Sequence, residues 1–227
     1  MKKTLINFSK YFIIFLLISI FAFPVFSDET ISENTETNVE EIAQTTAPQD
    51  IEFLEEPIID IFDPAFESFT LQEKLLLLRD IFPHKAYWNS RGYDGEIASY
   101  LNVAHQSCAH NEGKYYCNTY NGKTRDFFPW ANNIQCLGFA SMISDFLFGK
   151  DAKFESFYDY EKLDVGDHIR LTQATHSMIV IEKKADYIKV VECNSNYNNC
   201  FINWDREISK EDLMQNSGDY IFFKRIP

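Results

Sequence analysis

Leu71, Leu75, Leu78 and Phe82 recur at intervals of three and four residues, which predicts an amphipathic helix that starts at Leu71 and is stopped by Pro83. Thr70-Leu-Gln-Glu73 ahead of it is a capping-box pattern. A second stripe, Phe139, Met142, Ile143 and Phe146, predicts a helix over 136–148 that ends at Gly149, and the small residues Gly138, Ala140 and Ser141 would let it lie close against a sheet. The period then shortens towards that of strands. Strands are predicted over 167–172 after the Val165-Gly166 turn, then over 176–182, 187–194, 201–206 and 220–225, with Ser209-Lys-Glu-Asp212 capping a short helix before the last. Helices followed by strands imply an α+β fold, N-terminal helices packed on a C-terminal antiparallel sheet. No internal repeat is visible.

Two regions break the pattern. Residues 87–133 are rich in Gly, Asn and Tyr without a sustained period, and a loop that long in a compact domain is expected to be pinned or functional. At the N-terminus, Lys2, Lys3 and Lys10 precede an apolar run over 11–26 and the small-residue site Val25-Phe-Ser27, the pattern of a secretory signal over 1–27. An uncleaved membrane anchor is the competing reading, but the run is short for a span and contains Pro24. Residues 28–66 are expected to be an acidic disordered linker whose last part, rich in Ile, Phe and Leu, packs on the domain as an arm or covers the groove as a propeptide. The folded domain is then 67–227. The formal charge of −13 is concentrated in the linker: residues 28–70 hold thirteen acids and no Lys or Arg, whereas 71–227 hold 21 acids against 18 bases. With no basic stripe to follow phosphates, nucleic-acid binding is not expected. A composition 45% hydrophobic and 16% aromatic over 227 residues can build one well-filled core.

Candidate chemistry centres on Cys136, predicted at the first turn of a buried helix. A helix N-terminus and a partner imidazolium both lower a thiol's pKa, and the first-turn N–H groups are free to hold an oxyanion. Cys136 N–H is the first expectation for that role, with the side chain of Gln135 or Asn133 second. The bland alternative is a small buried core cysteine. His176 opens the next strand just before an apolar run, so its ring should sit at the mouth of the sheet, where a base could reach the thiol. His84, His105, His110 and His168 are the competitors; the first three precede the cysteine and His168 lies on a different strand. In 187–194 the side chains alternate, so Glu192 and Asn194 share a face, and either could orient the imidazole. For that, His176 must pair across the strands with an even index sum. The connection between these strands should therefore have an odd number of residues or contain a bulge.

Gln135-Cys136, the Leu163-Asp-Val-Gly-Asp167 turn, His176 at a strand start and Glu192-x-Asn194 resemble the CHAP family, the cysteine, histidine-dependent amidohydrolases and peptidases of the papain-like superfamily. The likeness spans 130–227. The chain also resembles exported bacterial proteins that share Tyr-Trp-Asn, a cysteine pair and Gln-Cys-x-Gly-Phe-Ala. The resemblance implies a papain-like fold and cleavage of an amide bond, with peptidoglycan or a peptide as substrate. It assigns Cys136 as nucleophile, His176 as base, and Glu192 and Asn194 as orienting and polar partners. No cofactor or metal is implied, the protein is expected to be exported and monomeric, and no membrane association is expected after signal cleavage. Trp130, Tyr197 and Trp204 are the expected walls of the substrate groove. A catalytically idle binding domain on the same fold and an acyltransferase or transglutaminase-like enzyme are the alternatives.

Five cysteines leave one odd. Sequence proximity pairs Cys108 with Cys117 and Cys193 with Cys200 as expected disulfides, which singles out Cys136 as the reactive thiol. His105-x-x-Cys108-x-His110 with Cys117 is a less regular zinc alternative.

Overall fold

Thr70 caps the first helix as its sequence predicts. In the computed structural model, which describes residues 61–93, 99–108, 117–128, 134–195, 199–215 and 219–226 apart from the side chains of Ser99 and Arg125, its hydroxyl accepts from Glu73 N–H at 3.3 Å. Its own N–H donates to Glu73 Oε2 at 2.8 Å. The expected export signal and most of the linker lie outside the described residues. Helix α1, Leu71–Ile81, buries Leu75 and Leu78 and ends on Phe82. The packed body reaches back further than residue 67: Ile61 is 1% exposed, Phe62 stacks on Tyr120 and Phe66 meets Phe146 edge-on. The apolar end of the linker thus packs on the domain as an arm, since three apolar side chains over 61–66 find core partners.

Helix α2 is Gln135–Phe148, closed by Gly149 at φ 89°. Every residue over 137–147 is buried, Ser141, Ser144 and Asp145 included. A helix apolar all round must be covered all round. One side lies on the sheet through Ile179, Val191, Cys193 and Ile202, and the other is covered by α1, Ile61 and Trp88. Asp145 is paired with Arg225, which also reaches Gly149 O, and accepts from Tyr120 Oη and Lys123 N–H, both at 3.1 Å. This buried pair ties the end of α2 to the last strand and to the loop before it, where a Cβ on Gly122 would come within 2.8 Å of Asp145 and Ser141.

The sheet has six strands: β1 Lys153–Phe157, β2 His168–Leu171, β3 His176–Lys183, β4 Tyr187–Cys193, β5 Ile202–Ser209 and β6 Tyr220–Ile226. They run antiparallel in the order β1-β6-β2-β3-β4-β5, and helix α3, Lys210–Gln215, precedes β6. The α+β architecture agrees with the sequence pattern. Strand β1 was not foreseen; it is five residues at a sheet edge with only Phe154 and Phe157 partly covered, too short for a period of two to register. The face away from α2 is closed by Tyr160, Leu163 and Leu213 over Ile169, Met178, Val190 and Phe222. Among the described residues no helix is long and apolar enough to cross a membrane.

The β3–β4 register meets the parity requirement through a bulge. Lys184 N–H donates to Tyr187 O at 2.9 Å, a tight turn of even length whose register, carried on unbroken, would set His176 opposite Ser195 and turn Glu192 to the other face. The register shifts between Val180 and Glu182, and beyond it Met178 faces Glu192. One extra residue at Ile181 therefore moves Glu192 and His176 onto one face. The long loop is pinned by buried amides. Asn118 Nδ2 donates to Asn102 O at 2.7 Å, Ser90 Oγ donates to Asn118 Oδ1 at 2.6 Å, and Trp88 Nε1 donates to Tyr100 O at 2.8 Å.

His168, fully buried on β2, has no hydrogen-bond partner for either ring nitrogen among the described residues. Burial, then Arg170 and Arg225, push its pKa down to about 3, so the folded protein keeps it neutral where the unfolded chain, near 6.5, takes up a proton. It costs no stability above that pH. Below it, stability falls by about 1.4 kcal/mol per pH unit. We expect His168→Leu to lose about 2 kcal/mol less than wild type between pH 6.5 and 5 in urea unfolding; parallel pH profiles would show that His168 is not the titrating group.

Candidate active site

Residue Gln135 enters α2 with φ 53°, a left-handed conformation costly for a side chain, and so turns the chain sharply before Cys136. Ile134 in the N-cap position supplies no side-chain cap, so the first-turn N–H groups are not taken by one. Thr175, just before His176, and Asn194, just after β4, are likewise left-handed at φ 49° and 60°. Three strained residues therefore flank the same spot. Such strain, of order 1–3 kcal/mol each, persists only where surrounding contacts hold it.

The half-buried Cys136 Sγ donates to Thr175 O at 3.5 Å, and His176 is near enough to lower its pKa. His176 Nε2 lies 2.7 Å from Glu192 Oε2, which leaves Nδ1 for the thiol. Glu192, 0% exposed, is held in turn by Arg206 Nη1 at 2.8 Å and Asn203 Nδ2 at 3.2 Å, and Arg206 also donates to Ser195 Oγ at 3.2 Å. Behind the thiol, Arg170 Nη1 donates to Ser177 Oγ at 3.0 Å, and its positive charge acts on Cys136.

Burial opposes ionisation of Cys136, but the hydrogen bond and charge of His176, the charge of Arg170 and the Ser177 N–H outweigh it, and the thiol pKa falls below its usual value. Burial likewise opposes protonation of His176, yet its bonds to Cys136 and Glu192 push the imidazole up to about 9. For Glu192 burial is outweighed by His176 and Arg206, so its pKa is lowered. The three groups thus favour a thiolate–imidazolium–carboxylate chain, the charge state a nucleophilic cysteine requires. Removing one member of a buried charge pair leaves the other uncompensated, at a cost of about 3–5 kcal/mol.

Of the sequence-predicted residues, Cys136, His176 and Glu192 come together. Asn194 does not touch the imidazole: its Nδ2 donates to Gln135 Oε1 at 3.0 Å and its Oδ1 accepts from Cys200 N–H at 2.9 Å. Gln135 is engaged at both ends, since its Nε2 also approaches Cys117 Sγ at 3.6 Å, and it braces the helix entry rather than standing open to substrate. Trp204 is corrected from groove wall to core: it is 3% exposed, its Nε1 donates to Phe82 O at 2.8 Å, and Arg79 covers its ring. The β5 residue faces α1 instead of the site. Trp130, Asn133 and Tyr197 lie outside the described residues, as does His110; His105 is exposed, and His84 Nδ1 accepts from Trp204 N–H. Arg170, Ser177, Asn203 and Arg206 went unrecognised. A lone Arg in the apolar stretch His168-Ile-Arg-Leu171 was the available signal, while Asn203 and Arg206 depend on the β4–β5 register.

The cysteines of the expected disulfide pairs meet in a different grouping. Among the described residues no disulfide links Cys108 to Cys117 or Cys193 to Cys200. Cys200 instead lies 3.1 Å from Cys117 and 3.6 Å from Cys108, with 3.3 Å between those two. Proximity in sequence could not anticipate that Trp88 N–H binds Cys200 O at 2.8 Å and draws the β4–β5 connection onto the long loop.

No family model matches the chain, and neither a curated protein nor a solved structure matches it.

With Cys108, Cys193 and Cys200 buried, iodoacetamide at neutral pH should label Cys136 first in the folded protein. His176→Ala should slow that labelling about tenfold or more, since one pKa unit is a tenfold change in thiolate. Equal labelling rates at pH 7 in wild type and variant would mean that the thiol is not activated by the histidine.

Proposed function

We propose that this chain is an exported cysteine-dependent hydrolase that cleaves an amide bond, with peptidoglycan as its substrate class, using a papain-like site of the CHAP kind. The observation that carries the reading is the continuous chain Cys136–His176–Glu192, with the 2.7 Å bond from His176 Nε2 to a fully buried carboxylate. A merely structural histidine has no need of a thiol on one side and a buried, Arg-braced glutamate on the other.

In the proposed reaction the Cys136 thiolate attacks the carbonyl carbon. The developing oxyanion lies at the first turn of α2, where Cys136 N–H and the helix dipole favour negative charge. His176, protonated, gives its proton to the amine as the C–N bond breaks and a thioester remains on Cys136. The neutral imidazole then takes a proton from water, whose oxygen attacks the thioester; the acid leaves and the sulfur returns as thiolate. Glu192 holds the ring in one orientation through both halves and stabilises its charged form. Arg170 adds positive charge beside the sulfur. No step uses a cofactor.

Because His176 must be protonated to release the amine and its pKa stands at about 9, activity should decline on the alkaline side near that pH. The test is to incubate residues 28–227 with purified peptidoglycan and soluble muropeptides under mild reduction and identify the products by mass spectrometry. Cleaved stem peptides or freed sugar chains, lost in Cys136→Ala, are the expected result. Product made equally by Cys136→Ala, or none from any fragment, would overturn the reading; product in which an added amine carries the acyl group would reassign it to acyl transfer.

A further inference from the structure

The sulfurs of Cys108, Cys117 and Cys200 form a nearly equilateral triangle with edges of 3.1, 3.3 and 3.6 Å. Cys193 is buried in the same core cluster as Cys108 and Cys200. Cys108, Cys193 and Cys200 are at most 1% exposed and Cys117 is half-buried. A disulfide joins two sulfurs at about 2.05 Å and gives a third no reason to stand equally near both. A shared cation does. Tetrahedral zinc, bonded to sulfur at about 2.3 Å, holds its ligand sulfurs about 3.8 Å apart, so each edge here needs to open by only a few tenths of an ångström on average. We propose that Cys108, Cys117 and Cys200 form a thiolate site for zinc, separate from the reactive thiol.

Each thiol gives up its proton to solvent as its bond to the metal forms. The ligands come from two places, the long loop and the approach to β5. Burial and soft sulfur donors suit a structural zinc site. Its neighbours point towards the reactive cysteine: Gln135 Nε2 donates to Cys117 Sγ at 3.6 Å, and Asn194, which accepts from Cys200 N–H, donates to Gln135. The metal would therefore fix the residue that turns the chain into Cys136, as outer-shell contacts of metal sites orient what lies around them.

The full chain, isolated without added reductant, should carry one zinc per molecule by native mass spectrometry. After chelation under reducing conditions it should take up one cobalt ion, with the tetrahedral and sulfur-to-cobalt absorption bands of a thiolate site. Cys136→Ala should bind cobalt like wild type, whereas Cys117→Ser, at the most accessible ligand, should bind at least tenfold more weakly; circular dichroism checks that it folds. If it does not fold, the wild-type stoichiometry and spectrum decide alone. Isolation of a metal-free chain with Cys108–Cys117 or Cys193–Cys200 linked as disulfide peptides would overturn the site, as would a reduced, folded chain that takes up no cobalt.

Discussion

Burial of α2 on every side is the constraint from which the rest of the molecule follows. Eleven consecutive residues over 137–147 are withdrawn from water, including Asp145, whose carboxyl pairs with Arg225, and each face needs its own cover. The sheet supplies one and α1 with the 61–66 segment the other. At its start Gln135 and Cys136 are only half-buried, ahead of Leu137, which packs on Phe128 and Phe223. A helix end without a side-chain cap is ordinarily a weakness. Here it coincides with the one polar opening of an otherwise apolar element, so dipole, free N–H groups and thiol face the same point.

The polar chain that meets this opening is built in layers. Glu192 is a buried charge tolerable only because His176, Arg206 and Asn203 together satisfy its oxygens. That satisfaction fixes the imidazole, and the fixed imidazole lowers the thiol pKa. Strained backbone at Gln135, Thr175 and Asn194 aims the side chains, and the bond between the Gln135 and Asn194 amides holds two of these positions against each other. Orientation is thus stored in backbone conformation and hydrogen bonds, not in the substrate.

The loop between the helices has the same logic with different chemistry. It cannot bury a periodic apolar face, so it is held by Asn89, Asn102 and Asn118, whose amides serve backbone and side-chain partners, and by cysteines that meet the β4–β5 connection. A long segment poor in regular structure thereby becomes a wall of the core beside the candidate site, and Cys117 passes its position to Gln135.

What the chain determines locally could be read from it directly. The capping box at Thr70, the stop at Gly149, the strands and the α+β class depend on neighbours within a few residues, where period and propensity act. The pairing of Cys136 with His176 was legible because a thiol at a helix start and a histidine at a strand start each mark an element's end. Tertiary structure decided what depends on register and on distant contacts. A bulge at Ile181 brings Glu192, and not Asn194, to the histidine; the strand crossing from β5 brings Arg206 and Asn203 to Glu192; and Trp204 faces α1 rather than a groove. The cysteines make the contrast plainest. Distance along the chain pairs them two by two, but sulfurs interact through space, and only the fold brings Cys200 to Cys108 and Cys117.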